Sequence, residues 1–252
     1  MSKQKKRLDW ITVIRIILLI IMLIALLALA LRLWDYKKGT DSYNALRNET
    51  VQTVQDTTQE QQTTNLLHVD FTDLQSKNSD IIGWLAFDSV DISYPVLYSG
   101  DNSYYLRRLW DKSYNQAGSL FLEGNNKSID ELHTIVYGHN MKNGSMFAPL
   151  KEYLNQDFFE ENGGWFTLYT PEGIWRYQIF SVYQAAADDE LYTVGFVESE
   201  EYNAFLKMLY ENSLYETGVT VYSDDHVMTL STCTDDGKNR IVVHARCAEQ
   251  IQ

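Results

Sequence analysis

Apolar and polar positions divide the chain into three stretches. Residues 16–31 are apolar without a break, and the wider segment 10–34 is interrupted chiefly by Arg15 and Arg32 and ends in Trp10 and Trp34. A helix of about 20 apolar residues spans a bilayer, and tryptophans favour its interfaces. Residues 41–64 are rich in Thr, Gln, Asn and Asp and contain neither Pro nor Gly. This pattern predicts a solvated spacer or a weakly amphipathic helix. From Phe71 onward, short runs rich in Val, Ile, Tyr, Phe and Trp predict strands at 81–87, 90–99, 119–122, 133–137, 165–170, 174–183, 226–233 and 240–247. Thr170-Pro171-Glu172-Gly173 reads as the turn between two of them.

Two helices interrupt the strands. Segment 147–159 has Pro149 in its first turn, and segment 197–215 places Tyr202, Phe205, Leu206, Met208 and Leu209 on one face. Such faces belong to the core. Eight short strands point to a mainly β fold with helical additions, a closed or nearly closed eight-stranded β-barrel preceded by an N-terminal transmembrane helix. The expected layout is a cytoplasmic tail and anchor over 1–36, a polar spacer or helix over 37–69 and a barrel domain over 70–252.

Charge sharpens this division. The 252 residues carry a formal charge of −13, but residues 1–34 hold six of the 21 basic groups and one of the 34 acids, leaving 15 basic and 33 acidic groups beyond, a net of −18. A body so acidic repels nucleic acid and anionic lipid. Ala28-Leu29-Ala30 has the small-x-small form of a signal cleavage site. The apolar run nevertheless exceeds the usual signal core of about 7–15 residues, which favours a retained anchor. Lys3, Lys5, Lys6 and Arg7 precede the span while Arg32, Lys37 and Lys38 follow it. The short tail and the acidic bulk favour a single-pass protein of the cell membrane, with the N-terminus cytoplasmic and the barrel outside.

An exported domain with two cysteines raises the question of a disulfide. Cys233 ends one predicted strand and Cys247 lies near the end of the next, joined by 234–239. In an antiparallel hairpin they stand on the order of 20 Å apart, beyond disulfide reach. Cys233 is thus expected to be a free thiol outside the cell, and catalysis is one reason to keep one there. The same hairpin puts Arg240, first residue of the next strand, beside Cys233. A guanidinium there favours the thiolate and can hold the oxyanion of a tetrahedral intermediate. His139, just after Gly138 at the end of another strand, is the candidate proton carrier. On residue types alone, a structural Cys, a satisfied His and a surface Arg remain an alternative.

The motifs add a resemblance. Tyr137-Gly138-His139-Asn140, Thr229-Leu230-Ser231-Thr232-Cys233 and Arg240-Ile241-Val242-Val243 resemble the signature of class B sortases. So do Asp80-Ile81-Ile82-Gly83-Trp84-Leu85, Tyr94-Pro95-Val96, Asp101-Asn102-Ser103-Tyr104-Tyr105-Leu106 and Gly118-Ser119-Leu120-Phe121-Leu122, in order over about residues 70–247. The resemblance implies a sortase-type barrel and a His139, Cys233 and Arg240 site. It implies a cysteine transpeptidase that attaches sorting-signal-bearing surface proteins to a peptidoglycan amine of Gram-positive cell walls, without a cofactor. Asn102, Leu106, Tyr137 and Ser231 match positions that line the groove for the sorting peptide, whose motif would be NPQTN-like or SPxTG-like. The helix within 197–215 is similar to the insertion that marks class B.

Two other readings of the same residues are an exported cysteine peptidase that hydrolyses wall peptides and a non-catalytic surface-binding barrel. His68, His133, His226 and His244 have no metal-ligand spacing, and Asp188-Asp189-Glu190 lacks the patterned oxygens of a calcium loop. These residues read as structural or solvated, and no metal is expected.

Overall fold

The computed structural model describes residues 9–53 and 66–251. Eight strands close into a barrel: β3 (Ile81–Phe87), β4 (Ser93–Leu97), β5 (Leu120–Leu122), β6 (His133–Tyr137), β7 (Trp165–Thr170), β8 (Gly173–Ala185), β9 (Val227–Cys233) and β10 (Arg240–Gln250). Their order around the barrel is β10-β8-β7-β3-β4-β5-β6-β9, with β9 pairing back onto β10. Most neighbours are antiparallel, but β4 with β5 and β6 with β9 are parallel. Pro171 and Glu172 form the expected turn, since Thr170 pairs with Gly173.

Burial explains why some strands do not alternate. Met228 and Leu230 of β9 fill the barrel interior with Val136, Leu168 and Val243. Val227 on the other face of β9 packs with Val242, Phe180 and the helix α4 (Glu200–Glu211). Covered on both sides, β9 is buried from Val227 to Thr232, polar Thr229, Ser231 and Thr232 included. Helix α4 is shorter than the pattern over 197–215 suggested. Ser199 starts it by accepting from Tyr202 N at 3.2 Å, and Tyr202, Phe205, Leu206 and Leu209 are its buried face.

The single helix expected over 147–159 is two pieces, a 3-10 segment Ala148–Leu154 and α3 (Gln156–Asn162). Asn155 between them is extended (φ −98°, ψ 118°) and its side chain caps α3 by accepting from Asp157 N. That side-chain bond competes with continuing the helix. A short helix α2 (Phe71–Lys77), capped by Asp70, precedes the barrel and was not expected from the pattern.

The N-terminal helix α1 runs from Trp10 to Thr50, 41 residues. Its apolar half has a mean hydropathy of 3.2 and is long and exposed enough to cross a membrane. Its polar half is packed on the barrel. Gly39, Tyr43, Leu46 and Thr50 are buried, Tyr43 Oη donates to Gly118 O at 2.7 Å, and Arg47 donates to Ser93 O at 2.8 Å. Residues 41–50 are therefore docked helix, with a following pair of short strands, β1 (Val51–Thr53) and β2 (Leu67–Val69). The rest of the expected spacer, 54–65, lies outside the described residues.

Candidate active site

Parallel pairing of β6 with β9 builds the site. Tyr137 is opposite Ser231, and the ladder continues one step as Gly138 N donates to Ser231 O at 3.1 Å. Parallel strands bring their C-terminal ends to the same rim, so His139 and Cys233, each two residues further on, emerge together. The antiparallel partner β10 starts at that rim, with Arg240 directly opposite Cys233. A thiol, an imidazole and a guanidinium from three strand ends thus share one cleft of about 240 Å³. All seven residues singled out in the sequence line it: Asn102, Leu106, Tyr137, His139, Ser231, Cys233 and Arg240.

Each is held locally. A Cβ at Gly138 would approach Leu120 at 2.5 Å and Phe147 at 2.6 Å, so only glycine lets the backbone pass between them to present His139. Phe147 N donates to His139 O at 3.0 Å and closes the loop behind. The His139 ring places Nε2 2.7 Å from Leu106 O. Because a carbonyl only accepts, Nε2 carries the hydrogen. Asn140 Nδ2 donates to both Cys233 O and Asp235 Oδ1 at 2.9 Å, tying the His139 loop to the Cys233 loop. Residues 234–239 form a tight turn, with Thr234 N donating to Asn239 O at 3.0 Å and Gly237, at positive φ, to Thr234 O. Cys233 and Cys247 are both free thiols, half-buried.

Two groups that the sequence did not single out hold the residues lining the cleft. Glu123 is buried and accepts from Asn102 Nδ2 at 2.7 Å and Tyr137 Oη at 2.8 Å, so one carboxylate orients two lining residues. An acid directly after the apolar strand Leu120–Leu122 was its only signal. Tyr192 stacks on Tyr137 (6.2 Å between centroids) and shares a 3.0 Å hydrogen bond with Ser231 Oγ. Burial and the Glu123 carboxylate hold the Tyr137 phenol well above its ordinary value, while burial raises Tyr192. The positive charge of Arg240 opposes both shifts, and its guanidinium donates to Asn239 O at 3.2 Å.

Behind the site, two of the remaining histidines form a buried relay. His133 Nδ1 is 2.7 Å from Thr193 O, His133 Nε2 is 2.7 Å from Thr229 Oγ1, and Thr229 Oγ1 is 2.8 Å from His244 Nδ1. The Thr193 carbonyl requires a proton on His133 Nδ1. Thr229 then donates to His133 Nε2 and accepts from His244 Nδ1–H, so both rings are neutral. Asp189, from the acidic cluster, accepts from Leu191 N and caps the adjoining turn.

Desolvation lowers His133 to about 4 and His244 well below its ordinary value. The unfolded chain therefore binds more protons than the folded one between about pH 6.5 and 4. Stability is full above that window and lost as pH falls through it, by on the order of 3 kcal/mol from His133 alone. Urea denaturation at a series of pH values checks this. A flat profile between pH 7 and 4 in the parent, or an unchanged one in His133→Gln, would refute the assignment.

A closed β-barrel with a Cys, His and Arg rim is the architecture of a cysteine acyl-transfer enzyme. Residues 85–248 match the Sortase domain model. The chain is 34% identical over 225 residues to Sortase B of Listeria monocytogenes, covering 84% of this chain and 89% of that relative. The fold superposes on the crystal structure of a Bacillus anthracis protein described as similar to sortase B with a TM-score of 0.73, at 33% identity over 86% of this chain and 98% of that one. Clostridium perfringens sortase B gives 0.67 at 34% identity over 73% and 100%. This chain belongs to the sortase family, with class B sortases as its relatives, and is a cysteine transpeptidase.

Proposed function

We propose that the protein cleaves a C-terminal sorting motif after its Thr, holds the acyl fragment as a thioester on Cys233 and passes it to a peptidoglycan amine. The observation that carries this reading is the single cleft shared by His139, Cys233 and Arg240 with Asn102, Leu106, Tyr137 and Ser231. The Cys233 thiolate attacks the Thr carbonyl, Arg240 stabilises the oxyanion, and His139 as imidazolium protonates the departing amine. With Nε2 engaged by Leu106 O, Nδ1 is the nitrogen left for that proton. His139 is then neutral and serves as base for the incoming amine. The motif is NPQTN-like or SPxTG-like, read by Asn102, Leu106, Tyr137 and Ser231. No cofactor takes part.

Residues 1–36 supply the cytoplasmic tail and the single-pass anchor in this reading, and the barrel works outside the cell on wall-bound surface proteins. Within segment 37–69, residues 39–50 of α1 act with the barrel in this reading, because Tyr43 and Leu46 are buried against it. Product analysis tests the reaction type. With a sorting peptide and an excess of a wall-peptide amine, most product is expected as the amide adduct. Hydrolysed product alone would identify a peptidase, and no turnover would identify a binding barrel.

A further inference from the structure

His139 borders a second cavity. Besides the cleft it shares with Cys233, it lines a groove of about 500 Å³ together with Arg32, Asp35 and Tyr36 of α1, Arg107 and Gln116 from the segment between β4 and β5, and Met141. The wall between the two cavities is thin in sequence. Leu106 faces the Cys233 cleft and Arg107 faces the groove, and the Leu106 carbonyl accepts from His139.

The groove is fixed by hydrogen bonds. Asp35 Oδ2 accepts from Gln116 N at 3.1 Å, and Asn115 Nδ2 donates to Asp35 O at 2.9 Å and to Asp35 Oδ1 at 3.2 Å. These bonds dock α1 against the β4–β5 segment immediately after its apolar run. Among the described residues, neither Arg32 nor Arg107 makes an ion pair, so two guanidiniums and one carboxylate line the groove on a domain that is otherwise strongly acidic.

We infer that this groove binds the acceptor, a peptide amine that also carries a carboxylate, and delivers it to the thioester past His139. The inference rests on the two-step reading above. Once the sorting peptide fills the cleft lined by Asn102, Leu106, Tyr137 and Ser231, the amine needs a separate approach that still reaches the base, and the groove meets both conditions. Its charges fit that ligand: Asp35 draws the ammonium end, and Arg107 and Arg32 pair with carboxylate. An anionic lipid headgroup would match the arginines but would face the Asp35 carboxylate. In the transfer step the ammonium first loses a proton to solvent, and the neutral amine nitrogen then attacks the thioester carbonyl. The C–N bond forms, the C–S bond breaks, one proton passes through His139, and Cys233 leaves as the thiol.

The test uses the full-length protein in phosphatidylcholine nanodiscs, with Arg107→Ala and Arg107→Lys variants. Thioester formation is followed by intact mass. Transfer is measured to a short peptide amine with a free carboxylate and to the same peptide as its carboxamide. Arg107→Ala is expected to raise KM for the carboxylate acceptor about tenfold, the scale of one charge-assisted hydrogen bond, and to leave the carboxamide KM and the thioester-forming step unchanged. Arg107→Lys should recover most of the loss. Equal KM changes for the two acceptors, or no change in either, would overturn the inference and leave the thioester reading standing. So would a variant whose only defect is weaker binding to phosphatidylglycerol vesicles. A parent protein that forms no thioester would overturn the two-step reading and this inference with it.

Discussion

Cys233→Ala should reduce cleavage of a sorting peptide by about 10⁴-fold or more, the scale seen when a covalent nucleophile is removed. The fold should survive, with stability within about 1 kcal/mol of the parent. Cys233 is tied into the structure through its backbone, which faces Arg240 across the β9–β10 ladder and accepts from Asn140 at its carbonyl. None of those contacts needs the sulfur. Cleavage of a fluorogenic pentapeptide, read beside thermal unfolding, separates the two effects. A folded Cys233→Ala protein that keeps more than a tenth of its activity would remove Cys233 from the mechanism.

Arg240→Ala should cost about 10²–10³-fold in kcat with a small change in KM, because the guanidinium is proposed to act on charge that develops only during reaction. Arg240→Lys should recover part of this, since an ammonium keeps the charge but loses the planar fork. The control is Arg246, farther along the same strand. It lies opposite Val227 at the other end of β9 and pairs with Asp225 at 3.3 Å. Arg246→Ala should leave kcat near the parent value. Equal losses for the two substitutions, or a loss at Arg240 seen entirely in KM, would assign Arg240 to substrate binding.

What could be read in the chain beforehand depended on how local the controlling interactions are. The β9–β10 hairpin needs only a six-residue connection, so the adjacency of Cys233 and Arg240 followed from sequence. His139 is different. Its place beside Cys233 depends on parallel pairing of β6 and β9, strands that are about ninety residues apart and leave no local pattern. Family resemblance supplied that link before the register did.

Other features were hidden for the same reason. The polar composition of 41–50 allowed either a solvated spacer or a weakly amphipathic helix; it is helical, and Tyr43 and Leu46 become buried once the barrel offers a surface. Glu123 looked like an ordinary acid until Asn102 and Tyr137 converged on it. His133 and His244 read as unremarkable strand residues because their common partner, Thr229, lies on a third strand. Strand boundaries came out within a few residues wherever turn residues marked them, as at Pro171. The larger differences are at β4, expected over 90–99 and observed as Ser93–Leu97, and at the end of β10, which runs on to Gln250 instead of stopping at 247.

The central claim is that Cys233 carries the acyl group, and the most direct measurement is intact-protein mass spectrometry after brief incubation with a library of sorting pentapeptides and no amine acceptor. The expected result is a mass gain equal to the peptide fragment ending in Thr, mapped to Cys233 and released by hydroxylamine. Peptide cleavage with no adduct on Cys233, or an adduct mapped to Cys247, would contradict it.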